Sequence, residues 1–455
     1  MTSARPDILI CGAGMAGVAM AYELSVRKGV GSVVLIDERE PLTLTSDKGT
    51  EAYRNWWPGP DDTMVRFMNR SISLLEELDR ESGRAFEMNQ RGYVYLTGNP
   101  NRFEQMRAEA ETIASFGAGP VRLHPGTVSY ESSPPEGISA LRDGADLITE
   151  ASAIHRLFPF VTPNAMGLLH ARRCGWLNAR ALGHWLLQRF REAGGTVLRG
   201  RVEGIGTKGG RMTQVRLSNG ETIRPNTLVI AAGPLLHEFG TLLGLTLPVF
   251  HELHGKIALP DTGRVIAPDS PMLIWMDPVN LLWTGEENHR LAADPERRWL
   301  TERFPGGVHL RPRYSDGQHT ILGIWTYDLA PRAPVWPLPF DPDYAESVIR
   351  GLAVLIPGME RYFGKGSISI VDGGYYCKTR DNRPLIGPLP VEGVFVIGAL
   401  SGFGVMGSQA AGELLARYLT HETLPDYAAA FRCERFSDPV YMARMALWDA
   451  TAGQL

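Results

Sequence analysis

Short apolar runs bounded by glycine alternate with amphipathic stretches along most of the chain. Asp7-Ile8-Leu9-Ile10-Cys11 is an apolar run of strand length that passes at once into Gly12-Ala13-Gly14-Met15-Ala16-Gly17. Small and apolar residues recurring at three and four positions predict a helix over Val18 to Lys28, broken by Gly29 and Gly31. Val33 to Ile36 predicts a second buried strand, ending at Asp37. Farther on, Ala179 to Ala193 has the helical period. Met212 to Leu217 and Glu221 to Arg224 predict a hairpin turning at Asn219-Gly220, and Thr227 to Ile230 a strand running into Ala231-Ala232-Gly233. Near the end, Val394 to Gly398 predicts a strand and Ser408 to Leu419 a helix, opened by Ser401-Gly402-Phe403-Gly404-Val405-Met406-Gly407. The intervening segments carry strand-like runs at Tyr93 to Leu96, Lys256 to Leu259, Met272 to Trp275, Leu281 to Thr284, Val308 to Arg311 and Thr320 to Tyr327. A helix is predicted from about Phe340 to Leu355.

The first of these patterns has a mechanical reading. Strand, glycine turn, helix, strand and acid follow one another in about 30 residues, the order of a Rossmann dinucleotide site. Gly12 permits the tight turn, Gly14 lets backbone approach a pyrophosphate, and Gly17 lets the helix pack on the strand. Unpaired N–H groups at the helix start, around Ala13, Met15 and Ala16, face the phosphates. Asp37 stands where a carboxylate accepts ribose hydroxyls, with Glu38 beside it. Gly402 to Gly407 repeats the G-x-G-x-x-G spelling, but no strand ending in an acid follows it, so a second dinucleotide site is not expected.

Taken with the central stretch, where Gly194-Gly195 leads through Val202 to the hairpin and Gly233, the order resembles the D-amino-acid oxidase, glycine oxidase and sarcosine oxidase family of FAD-dependent enzymes. Thr379-Arg380-Asp381-Asn382-Arg383-Pro384-Leu385-Ile386-Gly387 is similar to that family's Thr-Pro-Asp…Pro-x-Ile-Gly segment, with Arg380 in place of proline. Val308-His309-Leu310-Arg311-Pro312 resembles its strand over the flavin. The resemblance implies an α/β fold: a Rossmann-like FAD-binding domain with an interleaved α+β substrate domain built on a mixed or antiparallel sheet. Residues 1–85, 151–248 and 366–455 would form the first, and 86–150 and 249–365 the second. It also implies FAD contacts from Val202, Ala232 and Gly233. The loop Thr43 to Trp57 would contribute Ser46, Lys48, Gly49 and Thr50, and the last helix start Gly402, Phe403, Gly404, Val405 and Met406.

Several departures bear on the substrate. Of the family's two carboxylate-holding arginines, Arg54 matches the second, while Glu51 stands at the first. Arg54 is therefore expected either to grip a substrate carboxylate or to pair with Glu51. The cysteine that carries covalent flavin in sarcosine oxidase is Gly374 here, with Cys377 three residues later, so FAD is expected to be non-covalent. An oxygen-activating lysine corresponds to Ile321, which leans the reading toward a dehydrogenase, while a histidine corresponds to Trp325 and a substrate lysine to Met406. Tyr53, Trp56, Trp57, Trp275, Trp283, Trp325, Tyr327 and Tyr376 suggest an aromatic pocket for a substrate bulkier than sarcosine. The candidate catalytic residues are Arg54, Lys256, Trp325 and Tyr376. The implied activity is oxidation of a C–N bond in an amine or amino acid to an imine, with oxygen or another acceptor taking the electrons. A flavin monooxygenase or halogenase, or a non-catalytic FAD-carrying subunit, are the alternatives.

Composition narrows the class without changing it. The chain has 455 residues, 44% hydrophobic and 21% charged, ordinary for a globular protein. Its net charge is −4 and no long run of one sign occurs, which speaks against nucleic acid. Only 6 of the 46 basic residues are lysine, leaving 40 arginines. The four scattered cysteines fit a reducing compartment, no spacing of His and Cys assigns a metal, and no apolar stretch predicts a membrane span. The short stretch before the first strand leaves no room for a signal peptide, so a cytoplasmic protein is expected.

Overall fold

The computed structural model describes residues 6–46, 48–126, 129–138, 142–315 and 317–448. The glycine-bounded apolar runs assemble into a six-stranded sheet, in the order Leu385–Pro388, Val394–Gly398, Thr227–Ile230, Ile8–Cys11, Val33–Asp37, Thr196–Arg199. All neighbours are parallel except the first pair. Both faces of such a sheet are covered, which is why its strands read as continuous apolar runs. Ile8 and Ile10 point to one core with Val18, Leu186 and Leu414. Leu9 and Cys11 point to another, closed by Met212, Val215 and Leu217 of the hairpin. The first helix begins at Met15, three residues earlier than its apolar period suggests, and runs to Tyr22 before a wider turn over Glu23–Arg27. The last helix begins at Gly404 rather than Ser408.

The remaining strands form a nine-stranded mixed sheet. Its order is Ile370–Lys378, Phe250–Pro260, Gln318–Ile324, Val308–Ser315, Met272–Trp275, Tyr93–Thr97, Gly167–Ala171, Ala145–Ile148, Val121–His124. Gly167–Ala171 and Ile370–Lys378 thus lie in this sheet, although the boundaries drawn from the sequence put them in the Rossmann-like unit. Strand alternation divides the residues of the sheet between its faces. Ile257, Val308, Leu310 and Ile321 pack under the helix Tyr344–Leu355, together with Val348 and Leu352. That helix starts after Pro342, four residues later than expected. Leu281 to Thr284 is not a strand: Thr284 caps the helix Gly285–Ala293 in a reciprocal capping box with Glu287. Among the described residues no helix is long and apolar enough to cross a membrane.

The Thr-x-Asp segment is a scaffold. Asp381 accepts bonds from Arg435 Nε at 2.7 Å and Nη2 at 3.0 Å, from Thr379 Oγ1 at 2.7 Å and from Tyr441 Oη at 2.5 Å. It therefore ties the C-terminal segment to the turn before Leu385. Burial works to raise its carboxyl pKa, but the bonds from Arg435, Tyr441 and Thr379 outweigh burial and leave it below the ordinary value. Asp381→Ala would strand the Arg435 guanidinium and should destabilise the fold by about 3–5 kcal/mol in denaturant titration. The wild-type contribution is present above the unfolded carboxyl value of about 3.9 and is lost as pH falls through the depressed folded value. An unchanged denaturation midpoint in the variant would remove this role.

Candidate cofactor groove and substrate cavity

At the first glycine turn, sterics separate three roles. Gly12 has φ +111°, and a Cβ there would lie 2.3 Å from the Ala231 carbonyl oxygen; one on Gly17 would lie 1.9 Å from that of Gly12. These two glycines are needed for chain-to-chain contact. A Cβ on Gly14 would meet only Ser46 Oγ, at 3.3 Å, because Gly14 faces an open groove. Met15 N donates to Ser46 Oγ at 2.9 Å, and Ala13 N to Asp37 Oδ2 at 2.6 Å. Arg39 N donates to the other Asp37 oxygen at 2.9 Å. Asp37 therefore shapes the turn as well as lining the groove, a second role not evident from its position at the strand end.

The groove continues as a cavity of about 430 Å³ whose wall includes Glu38, Val202, Ala232, Gly233 and the stretch from Ala399 to Met406. Met15, Ala16, Ser46, Gly49 and Thr50 also contribute to it. Glu38 is held between Arg39 (3.6 Å) and Arg201 (3.8 Å). Two helix N-termini, at Met15 and Gly404, open onto this cavity. Several wall residues carry buried polar atoms with no hydrogen-bond partner among the described residues, among them Asn382 Oδ1, Ser401 Oγ and Tyr375 Oη. Bare backbone at Gly14, acceptors at Asp37, helix ends and orphaned polar atoms together fit a flavin dinucleotide. Asn382 and Ser401 were not singled out from the sequence, since nothing in their neighbours marks an unmet hydrogen bond.

At the far end the wall is Arg54, Tyr93, Met272, His309, Ile324, Tyr376 and Phe403. Arg54 is buried, donates from Nη1 to Tyr95 Oη at 3.3 Å, and lies 4.6 Å from the Trp57 ring centroid. Glu51 does not pair with it. Instead Glu51 accepts from Arg311 Nη2 at 2.9 Å, while Arg311 Nε donates to the Thr50 carbonyl at 2.6 Å. Tyr376 is stacked on His254, centroids 3.9 Å apart, and its ring fills the space where a Gly402 Cβ would stand. Burial pushes the Tyr376 hydroxyl up to about 12, so it stays neutral. Burial pushes the His309 imidazole down to about 4, and the Arg54 charge acts in the same direction.

The four candidate catalytic residues fall into two groups. Tyr376 and Arg54 line the cavity; Lys256 and Trp325 do not. Lys256 Nζ donates to the Gly49 carbonyl at 3.2 Å, holding the loop rather than reaching the cavity. Trp325 is fully buried in the core beneath the sheet, against Phe304 and Gly351, with its Nε1 on the Pro305 carbonyl at 3.2 Å. Lys48 turns to Asp372, at 3.1 Å. Of the aromatic residues grouped from the sequence, only Tyr376 lines the cavity. Tyr53, Trp56 and Trp57 belong to the core around the first helix, and Trp275, with Trp283 and Tyr327 at its edge, to the core beneath the substrate sheet. Ile321 also faces that core, and Ile324 is the cavity residue on its strand. His309 was missed, although the alternation Val308-His309-Leu310-Arg311 puts it on the face of Arg311.

The family model described as FAD dependent oxidoreductase matches residues 7–418. Over 434 residues the chain is 22% identical to the mitochondrial dimethylglycine dehydrogenase of Mus musculus, covering 92% of this chain and 43% of that protein. The chain thus spans less than half the length of the curated relatives it matches. In fold it is similar to L-proline dehydrogenase from P. horikoshii, with TM-score 0.70 and 19% identity over 95% of this chain and 98% of that one. Glycine oxidase from Geobacillus kaustophilus gives TM-score 0.70 and 16% identity over 94% and 98%. With the match reaching from the first strand to the last turn of the helix over the groove, the chain belongs to the FAD dependent oxidoreductase family.

Proposed function

We propose that this protein oxidises the C–N bond of a small amine that also bears a carboxylate, giving an imine that hydrolyses in water. The observation that carries the reading is the buried Arg54 guanidinium on the cavity wall, with the nearby Glu51 committed to Arg311. A guanidinium fork matches a carboxylate in two parallel bonds. Tyr93, Met272, Ile324 and Phe403 supply an apolar wall for the remaining substituents, which suits a substrate larger than sarcosine. The named relatives support the class: dimethylglycine, proline and glycine each join an amine to a carboxylate.

Bound FAD would supply the hydride acceptor. The chain's own task is then alignment and exclusion of water: Arg54 anchors one end of the substrate, and Phe403 and Tyr376 wall the reacting end. FAD is non-covalent in this reading. A side chain in place of Gly374 would crowd Thr45 at 3.2 Å, and burial pushes the Cys377 thiol up to about 12, leaving no thiolate to attach. Four unpaired cysteines, three of them buried, support a reducing compartment such as the cytoplasm.

Anaerobic mixing of the yellow holoprotein with a panel of amino and N-methylamino acids should bleach the flavin; a flavin that no amine reduces ends the proposal. Arg54→Met should retain the flavin yet lower kcat/KM for carboxylate-bearing substrates by about 30- to 1,000-fold, as expected for losing a charge-assisted pair of about 2–4 kcal/mol. Equal kinetics in the variant would remove Arg54 from the site. Asp37→Ala should weaken FAD binding by about ten- to a hundredfold in titration of the apoprotein, since bonds to a charged acceptor contribute about 1.5–3 kcal/mol. An unaltered dissociation constant would assign Asp37 to the turn alone.

A further inference from the structure

Among the groups that the reading above leaves unused, one histidine combines burial, a fixed tautomer and a place on the cavity wall. His309 lies on Val308–Ser315, cross-strand from Ile274 and Ile324, and is 3% exposed. Its Nδ1 is 2.9 Å from the Gly307 carbonyl. A carbonyl only accepts, so Nδ1 carries the proton and Nε2 keeps its lone pair. No hydrogen bond reaches Nε2 among the described residues. The charged or titratable groups that act on the ring are Arg54 and His254, and the same cavity is lined by Glu51, which is paired with Arg311, and by Tyr93 and Tyr376. A polar acceptor is thereby fixed in a cavity end whose other walls are mostly apolar.

We propose that His309 is a specificity-determining residue whose Nε2 accepts a hydrogen bond from the substrate N–H, so that the site selects amines retaining an N–H over fully substituted ones. The inference rests on the amine-oxidation reading for its substrate. Its chemistry is that of a hydrogen bond, with no bond made or broken. With the carboxylate on Arg54 and the nitrogen on His309, a substrate is held at two points, and the remaining rotation about the line joining them is limited by Tyr93 and Phe403. A free-base secondary amine satisfies Nε2; a free-base tertiary amine has no N–H to offer and leaves a buried acceptor unmet.

Two arms test this with the holoprotein. In the first, pyrrole-2-carboxylate, which has a ring N–H, and furan-2-carboxylate, which does not, are titrated while the flavin spectrum is followed. The wild type should bind the pyrrole about tenfold or more tightly. His309→Leu should bring the two affinities together, while His309→Gln, which keeps an acceptor, should restore part of the preference. In the second, the rate of anaerobic flavin reduction is compared for an N-methylamino acid and its N,N-dimethyl analogue. The wild-type ratio should favour the former and shrink in His309→Leu. Equal binding of the two ring acids by the wild type, binding of neither, or an unchanged preference in His309→Leu would overturn the assignment. If His309→Leu does not fold, the wild-type preference and the His309→Gln variant decide it. A clear pyrrole preference without flavin reduction by any amine would sink the oxidation reading and leave the N–H acceptor standing.

Discussion

One buried guanidinium joins the nine-stranded sheet to the loop that lines the cofactor groove. Arg311 belongs to the nine-stranded sheet, yet it donates to the Thr50 carbonyl and the Glu51 carboxylate of the loop Thr43 to Trp57. The Trp176 ring lies 5.2 Å from the same guanidinium. Burial lowers the Arg311 pKa to about 10, with Glu51 opposing, so the cation persists at neutral pH. Lys256, from a second strand of the same sheet, adds a bond to the Gly49 carbonyl. The segment carrying Ser46, Gly49 and Arg54 is therefore pinned from the substrate side while its Ser46 hydroxyl meets the first helix on the cofactor side. Glu51 holds a positive φ of 58°, a conformation that a non-glycine residue keeps only where its surroundings over-determine it. Removing Arg311 would release a loop that both halves of the site depend on.

The elements of the Rossmann-like sheet were legible because every physical demand there leaves a mark in the residue types. Gly12 and Gly17 cannot be anything larger, and the strand between two covered faces must be apolar throughout. The helix that opens at Gly404 starts four residues earlier than its apolar period suggests, with Gly404, Val405 and Met406 of its first turn on the cavity wall. The interleaving was legible only to the level of whole segments. Gly167–Ala171 and Ile370–Lys378 carry the same apolar texture as their neighbours, and only pairing with Tyr93–Thr97 and Phe250–Pro260 assigns them to the larger sheet.

The substrate end was read less well, and the reason is a period of two. On a strand, a shift of one residue moves a side chain from the cavity to the opposite core. Ile321 and Trp325 were matched to functional positions by spacing along the chain, but they share a face with Gly323, which packs on Leu352 and Val348 of the covering helix. Ile324 and His309 are on the other face. Aromatic residues were a poor guide for a related reason: a large ring near a motif is most easily buried by packing, as Trp275 and Trp325 are. In the Thr-x-Asp segment Asp381 serves Arg435, and it is the adjacent Asn382 that reaches the cavity.

The charge arrangement at that end follows from burial and ion pairing together. Glu51 is taken by Arg311, the Tyr376 hydroxyl is kept neutral by burial, and His309 is kept neutral by burial and by the Arg54 charge. A low-dielectric cavity strengthens whatever charge it retains. Arg54 keeps its guanidinium on this wall, and in the proposed reading a substrate carboxylate is the group it would attract. An ammonium brought in beside it would be opposed by the same field, whereas a neutral amine with its lone pair available would not. In the proposed reading, the guanidinium that would recognise the acid would therefore also favour the amine in the protonation state from which a hydride can leave.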